Sequence, residues 1–262
     1  MAYDFLSFEV QEGVGLIRLN RPEDGNAITL EMARELLDAA SRCDEDPEVR
    51  AVVLTGTGKM FCAGGDIKAF AAQGDSISAY MEEVVQAFHA AISRFNTMAP
   101  PVVGAINGTA AGGGLSLALA TDIAVAAQSA RFTMAYTKIG LTPDGGSTYF
   151  LARLVGLRRA KEMVLLNPVW SAEQALEWGL VNQVVADEEV LATATALAQK
   201  LAAGPTRAFG EAKRLILAGA TESLESQMER EARAISALAG SADGQEGLAA
   251  FLAKRPPRFA GK

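Results

Sequence analysis

The period of the apolar positions changes several times along the chain, and the changes mark its elements. SFEVQEGVGLIRLN alternates apolar and polar residues on both sides of Glu12-Gly13, the pattern of a β-hairpin. From Asn26 to Asp44 the period lengthens. Leu30, Ala33, Leu37 and Ala40 recur at helical spacing, which predicts an amphipathic helix with Thr29 as its N-cap. AVVLTG, from Ala51, is the β-branched run of a strand covered on both faces. Ser76 to Asn96 returns to helical spacing, with Val84, Phe88, Ala91 and Phe95 on one stripe. VVGAIN and DIAVAA predict two more strands, and LSLALA between them a helix of small residues. Beyond Asp144 the pattern is mostly helical. Gly204-Pro205 breaks it before a last section rich in Ala, Glu and Arg.

Strands alternating with helices imply an α/β core with parallel pairing. The expected division is a core over residues 1–200 and a helical region over 201–262. No run of about twenty apolar residues escapes a charge, so no membrane span is expected. MAYDFLSFEV lacks the basic start and apolar centre of a secretion signal. Cys43 and Cys62 are too few for a disulfide framework or a zinc site. A cytoplasmic protein with reduced thiols and no metal is the expectation. The net charge of −7 argues against nucleic acid as a partner, since neutralising phosphates needs a basic surface. The closing KRPPRFAGK nevertheless holds Lys254, Arg255, Arg258 and Lys262. By charge alone it reads as a solvated tail, with a local anion site as the sharper alternative.

Two stretches echo each other. AVVLTGTGKMFCAGGD and VVGAINGTAAGGGLSLA are each an apolar strand followed by a glycine turn, Ala63-Gly64-Gly65 in one and Gly112-Gly113-Gly114 in the other. Glycine lets backbone approach backbone or ligand closely, and each turn precedes a helix start, where N–H groups lack internal partners. Two such turns can aim two N–H donors at one oxygen, forming an oxyanion hole. Tight helix–strand packing explains the glycines about equally well. A dinucleotide site is a poor rival: LIRLNRPEDGNA has no G-x-G-x-x-G, and the GTGK of residues 56–59 lacks the rest of a phosphate loop.

LTPDGGST places Asp144 between Pro143 and two glycines, just before the apolar YFLARLVG. By itself that is the signature of a helix N-cap. His89, the only histidine, shares a helix face with Val85 and Ile92 and reads as a packed or half-buried structural residue. Ser116 fits close packing in a small-residue helix. Together Ser116, His89 and Asp144 also leave a hydrolase triad open, since triads are recognised by geometry rather than order. Cys62 reads as a small buried side chain.

The segments LNRPEDGNAI, VVLTGTGKMFCAGGDIKAF, PPVVGAINGTAAGGGLSLALATDIAVAAQSARF, GLTPDGGSTYFLARLVG, SAEQALEWGLVNQVV and AFLAKRPPRFAGK resemble the enoyl-CoA hydratase/isomerase, or crotonase, superfamily. The resemblance implies a crotonase-like spiral of ββα units with a C-terminal helical oligomerisation region, assembled as trimers or hexamers. It implies a coenzyme A thioester as substrate, no further cofactor, and a thioester oxygen held by the N–H groups of Gly65 and Gly113. The backbone of Ala63, Asp66 and Ile67, with Lys68 nearby, would hold the adenine end of coenzyme A. Phe259 and Lys262 would reach the coenzyme A of a neighbouring subunit. Hydratases of the family use two glutamates, and Ser116 and Tyr136 stand at the matching positions, both next to the acyl group. The remaining acid is Asp144. Isomerase-like members, notably the ring-epoxide isomerases of phenylacetate degradation, carry an aspartate there. Aryl-CoA dehalogenases carry one as a nucleophile, with a histidine matching His89 and a tryptophan in place of Tyr136. The resemblance therefore favours an isomerase with Asp144 as base, beside a hydrolytic alternative and a non-catalytic, RNA-binding one.

Overall fold

The computed structural model describes residues 3–262. Strands β1 (Leu6–Gln11) and β2 (Val14–Leu19) form the hairpin, with Glu12 and Gly13 as its turn. Helix α1 (Leu30–Glu45) starts where predicted, its Thr29 side chain accepting the Met32 N–H. Three further units follow: β3 (Ala51–Gly56), β4 (Met60–Cys62), α2 (Ile67–Ala71) and α3 (Ile77–Thr97); β5 (Val102–Ile106), β6 (Thr109–Ala111) and α4 (Gly113–Leu119); β7 (Ile123–Ala127), β8 (Arg131–Thr133) and α5 (Ser147–Leu166). The buried stripe of α1 is wider than the predicted one. Met32, Leu36, Ala39 and Cys43 are also buried, while Leu37 is only partly so. The cause is that α1 packs along α3 as well as against the hairpin.

Each later unit repeats one plan: a long apolar strand, a short strand, a turn, then helix. The plan dictates two sheets. With β9 (Trp170–Ser171), α6 (Ala172–Glu177) and β10 (Gln183–Val185) in place, the long strands form a six-stranded sheet in the order β1-β2-β3-β5-β7-β10. The short strands form a four-stranded sheet, β4-β6-β8-β9. From β2 to β10 the large sheet is parallel, and β4, β6 and β8 are parallel in the small one. Every unit thus adds one strand to each sheet, and the chain climbs as a spiral of ββα units. The central strands β3, β5 and β7 are almost wholly buried and apolar because helices cover them. One cover is α7 (Val190–Ala202), which lays Ala194, Ala198 and Ala202 against β3, β5 and β7.

After Gly204 the described residues carry only helices: α8 (Thr206–Gly219), α9 (Leu224–Ala239) and α10 (Ala242–Leu252). The link to the core is polar. Lys213 on α8 lies 2.6 Å from Asp122 and donates to the Phe95 carbonyl at 3.0 Å. Residues after α10 fold back onto their own chain, where Asp243 accepts the Ala260 and Gly261 N–H groups and Arg50 donates to the Phe259 carbonyl. Among the described residues no helix is long and apolar enough to cross a membrane.

Candidate active site

Because β4, β6 and β8 lie side by side, the three turns that follow them open onto one cavity of about 510 Å³. The first turn brings Ala63 and Gly65, the second Gly113, and the third, a longer excursion, Tyr136 and Asp144. Ile28, Phe70, Val84, Phe88 and Leu141 supply apolar wall.

The backbone donors can be accounted for one by one. The Gly64 N–H goes to Cys62 Sγ, the Asp66 N–H to the Ile28 carbonyl, and the Gly112 N–H to the Thr133 carbonyl. Between them, the N–H groups of Gly65 and Gly113 have no partner among the described residues. Gly113 opens α4, so the helix makes no claim on its N–H. The turns touch: a Cβ on Gly113 would lie 3.8 Å from Gly64 Cα, and one on Gly114 only 2.1 Å from the Cys62 carbonyl oxygen. Close packing thus explains Gly114, while Gly65 and Gly113 present unclaimed donors to the cavity. Cys62 is fully buried, and burial pushes its thiol up to about 12, which leaves it unreactive.

Asp144 does not cap the following helix, contrary to the sequence expectation. The N-cap of α5 is Gly146, with no side-chain hydrogen bond. Gly145 and Gly146, at φ +59° and +70°, turn the chain before Ser147 and leave the carboxylate outside the helix start. Only the Asp144 carbonyl meets the helix, accepting from Ser147 N at 3.1 Å and Ser147 Oγ at 2.7 Å. Oδ1 of the carboxylate accepts the Tyr136 hydroxyl. Oδ2 has no hydrogen-bond partner among the described residues. Burial, and then the charge of Asp144, keep the phenol proton on Tyr136 well above the ordinary phenol range.

Ser116 is fully buried behind this pair. Its Oγ stands 3.2 Å from the Tyr136 hydroxyl and donates to the Asp144 carbonyl at 3.0 Å. His89 is exposed at the cavity edge rather than packed, because this turn of α3 faces the opening. Its Nε2 accepts the Gly145 N–H at 2.8 Å. A Ser116–His89–Asp144 triad is therefore not formed: the serine hydroxyl bonds main chain and phenol, and the imidazole bonds an amide.

The other expected ligand residues divide. Ala63 and Ile67 line the cavity. The Asp66 side chain does not, since it caps α2 through the Ala69 N–H and pairs with Arg21 at 3.0 Å. Its carboxyl is held below the ordinary range: burial raises it, but the Ala69 N–H and the Arg21 guanidinium outweigh that. Lys68 is exposed on α2. Phe259 and Lys262 lie on the tail docked against α10, outside the cavity of their own chain. The sequence reading missed Ile28 and Gly145. Ile28 reaches the site by a parallel bridge to Gly65, a pairing that no local pattern announces.

An apolar cavity with two free backbone donors and one orientated carboxylate defines a protein that can hold a carbonyl oxygen and move a proton beside it. Residues 9–262 match the enoyl-CoA hydratase/isomerase family, and the chain belongs to that family. It is 42% identical over 261 residues to 1,2-epoxyphenylacetyl-CoA isomerase of Escherichia coli, covering 99% of both chains. It is 37% identical over 250 residues to 4-chlorobenzoyl coenzyme A dehalogenase-2 of an Arthrobacter species, covering 95% of this chain and 91% of the relative. The crystal structure of an enoyl-CoA hydratase from a Polaromonas species superposes with a TM-score of 0.93 at 33% identity, covering 97% of this chain and 99% of the other. The fold is the crotonase fold, and the protein is an acyl-CoA enzyme of this family.

Proposed function

We propose that the protein is a CoA-thioester isomerase working through an enolate, on an enoyl-CoA or a ring-epoxide acyl-CoA. The observation that carries the reading is the free Oδ2 of Asp144 in a cavity that also holds the unclaimed N–H groups of Gly65 and Gly113. The thioester oxygen accepts both N–H groups. Asp144 takes a proton from carbon conjugated with the thioester, and the electron pair moves onto that oxygen. Asp144 then returns the proton at another carbon of the acyl group. No water enters, and substrate and product have equal mass. One such donor contributes roughly 3 kcal/mol to the transition state.

The hydrolytic reading places Asp144 on carbon and asks His89 to activate water. Nε2 of His89 is engaged by the Gly145 N–H, so the ring proton sits on Nδ1 and no basic nitrogen remains free. That favours the isomerase. The coenzyme A end is assigned to Ala63, Ile67 and Lys68, with Phe259 and Lys262 supplied by a neighbouring copy of the chain in a trimer or hexamer. Exposed apolar side chains on α9 and α10, among them Leu224, Ile235, Phe251 and Leu252, support such an assembly.

A panel of CoA thioesters, including 3-enoyl-CoAs and phenylacetyl-CoA, followed by mass spectrometry in 18O-water, tests the reading. Isomerisation conserves mass and incorporates no label. Hydration adds labelled water, and hydrolysis releases coenzyme A with labelled acid. Either of the last two as the main reaction would refute the isomerase.

A further inference from the structure

The peptide group that joins Asp144 to Gly145 is held at both ends. Its carbonyl accepts Ser116 Oγ at 3.0 Å, Ser147 Oγ at 2.7 Å and Ser147 N at 3.1 Å. Its N–H donates to His89 Nε2 at 2.8 Å. The imidazole is the one partner of that N–H among the described residues. Gly145 sits at φ +59° and carries no side chain, and a Cβ there would come within 2.6 Å of the Phe88 ring and 2.7 Å of Ser116 Cβ. A glycine in a left-handed turn has many accessible conformations, and the imidazole on the N–H side works with the two serines on the carbonyl side to select one of them. The same contact forms a wall, since His89 and Gly145 both border a second cavity of about 300 Å³ between α3 and α5.

We infer that His89 is a positioning residue: as a neutral Nδ1–H imidazole it accepts the Gly145 N–H and so aims the Asp144 carboxylate. The inference rests on the reading of Asp144 as base, and gives the one histidine a role that needs neither nucleophile nor activated water. The requirement on the side chain is narrow. It must present an unprotonated acceptor at the reach of Nε2 from a turn of α3 that faces the cavity. Glutamine can approximate this with its amide oxygen, whereas leucine fills similar space with no acceptor.

Two measurements on the full-length protein decide it. With a single histidine, the imidazole 15N spectrum contains one side chain's signals. A protonated Nδ1 with an acceptor-type Nε2 is expected, and an Nε2–H tautomer would overturn the inference without any variant. The second measurement is α-proton exchange of phenylacetyl-CoA in deuterated water, at saturating substrate, for His89→Leu, His89→Gln and Asp144→Asn. A misplacement of about 1 Å can cost on the order of 100-fold. His89→Leu should therefore lose about 10- to 100-fold in turnover with KM little changed, and His89→Gln should regain most of it. If His89→Leu turns over normally while Asp144→Asn is inactive, the positioning role is wrong and the base stands. If Asp144→Asn also turns over normally, the base itself is wrong. Should His89→Leu fail to fold, the tautomer and the glutamine variant still decide.

Discussion

Tyr136 donates its hydroxyl proton to Oδ1 of Asp144 across the turn of eight positions that separates them. One carboxylate oxygen is thereby fixed, while the other has no hydrogen-bond partner among the described residues. The phenol can play this part only while protonated, and its surroundings ensure that: burial first, and then the neighbouring negative charge, make ionisation unfavourable.

Removing that donor gives the first prediction. A hydrogen bond to a charged group contributes roughly 1.5–3 kcal/mol. Tyr136→Phe should therefore lower turnover by about 10- to 100-fold, with substrate affinity nearly unchanged because the hydroxyl is spent on Asp144. In the unmodified protein the raised phenol has a further consequence. Turnover followed against pH should show no falling limb from Tyr136 at the ordinary phenol value of 10.0. A limb there that disappears in Tyr136→Phe would contradict the assignment.

The second prediction concerns a residue that never meets the substrate. Gly114 is absent from the cavity wall, yet a Cβ there would sit 2.1 Å from the Cys62 carbonyl oxygen. Both partners are backbone, so neither turn can yield cheaply. Gly114→Ala should destabilise the fold by about 1–3 kcal/mol, visible as a lower Tm. It should also slow α-proton exchange, because parting the turns separates the Gly65 and Gly113 donors. Unchanged exchange in a destabilised variant would show that the donors do not depend on this contact.

Much of this was legible along the chain, and the exceptions share a cause. Thr29, the hairpin at Glu12-Gly13 and the long apolar strands declare themselves by local pattern, because each is decided within a few residues of itself. The small sheet does not. β4, β6 and β8 are three residues each and β9 two, too short for any alternation to register. The echo of the two glycine turns was visible, but the short strands that align those turns were not. Asp144 reads as a cap along the chain because Asp before a helix usually caps. Two left-handed glycines moved the helix start to Ser147, and conformation at glycine is what a sequence specifies least. His89 looked structural because its partner, Gly145, lies 56 positions away.

The third prediction uses the tail. Glu246 takes both Arg255 nitrogens, at 2.6 and 2.8 Å, and the Arg258 N–H at 2.8 Å. The Arg255 guanidinium first, and then that N–H, pull its carboxyl from 4.5 to about 2. A carboxyl depressed in the folded state stabilises through its charged form. Its contribution is complete above about 4.5 and is lost as pH falls through about 2. Proteolysis after Arg258 should be faster in Glu246→Gln than in the parent at neutral pH, and hydrogen exchange in the tail should converge between the two at strong acid. Equal tail protection at neutral pH would mean that the backbone contacts to Asp243 suffice.

The last prediction separates the two parts once ascribed to Asp144. If its carboxylate were the cap of α5, replacing it would cost stability, and Asn would be the mildest choice because it caps about as well. The carboxylate instead stands clear of the helix, whose first turn is served by the Asp144 main-chain carbonyl and by Ser147. Helix capping should then place no demand on the side chain: Asp144→Asn, which keeps an acceptor for the Tyr136 hydroxyl, should stay within about 0.5 kcal/mol of the parent, whereas Asp144→Ala should lose about 1–3 kcal/mol by leaving that hydroxyl unpaired. Turnover should behave in the opposite way. Asn keeps an oxygen to accept the Tyr136 hydroxyl but has no basic one, so orientation survives and proton transfer does not. A positioned general base contributes typically 10²–10⁴-fold, and α-proton exchange should fall by about that factor in Asp144→Asn, while acyl-CoA binding, held by the Gly65 and Gly113 donors, stays close to normal. A loss of stability in Asp144→Ala well beyond the loss in Tyr136→Phe would restore the capping role. Full exchange activity in Asp144→Asn would move the base elsewhere in the cavity.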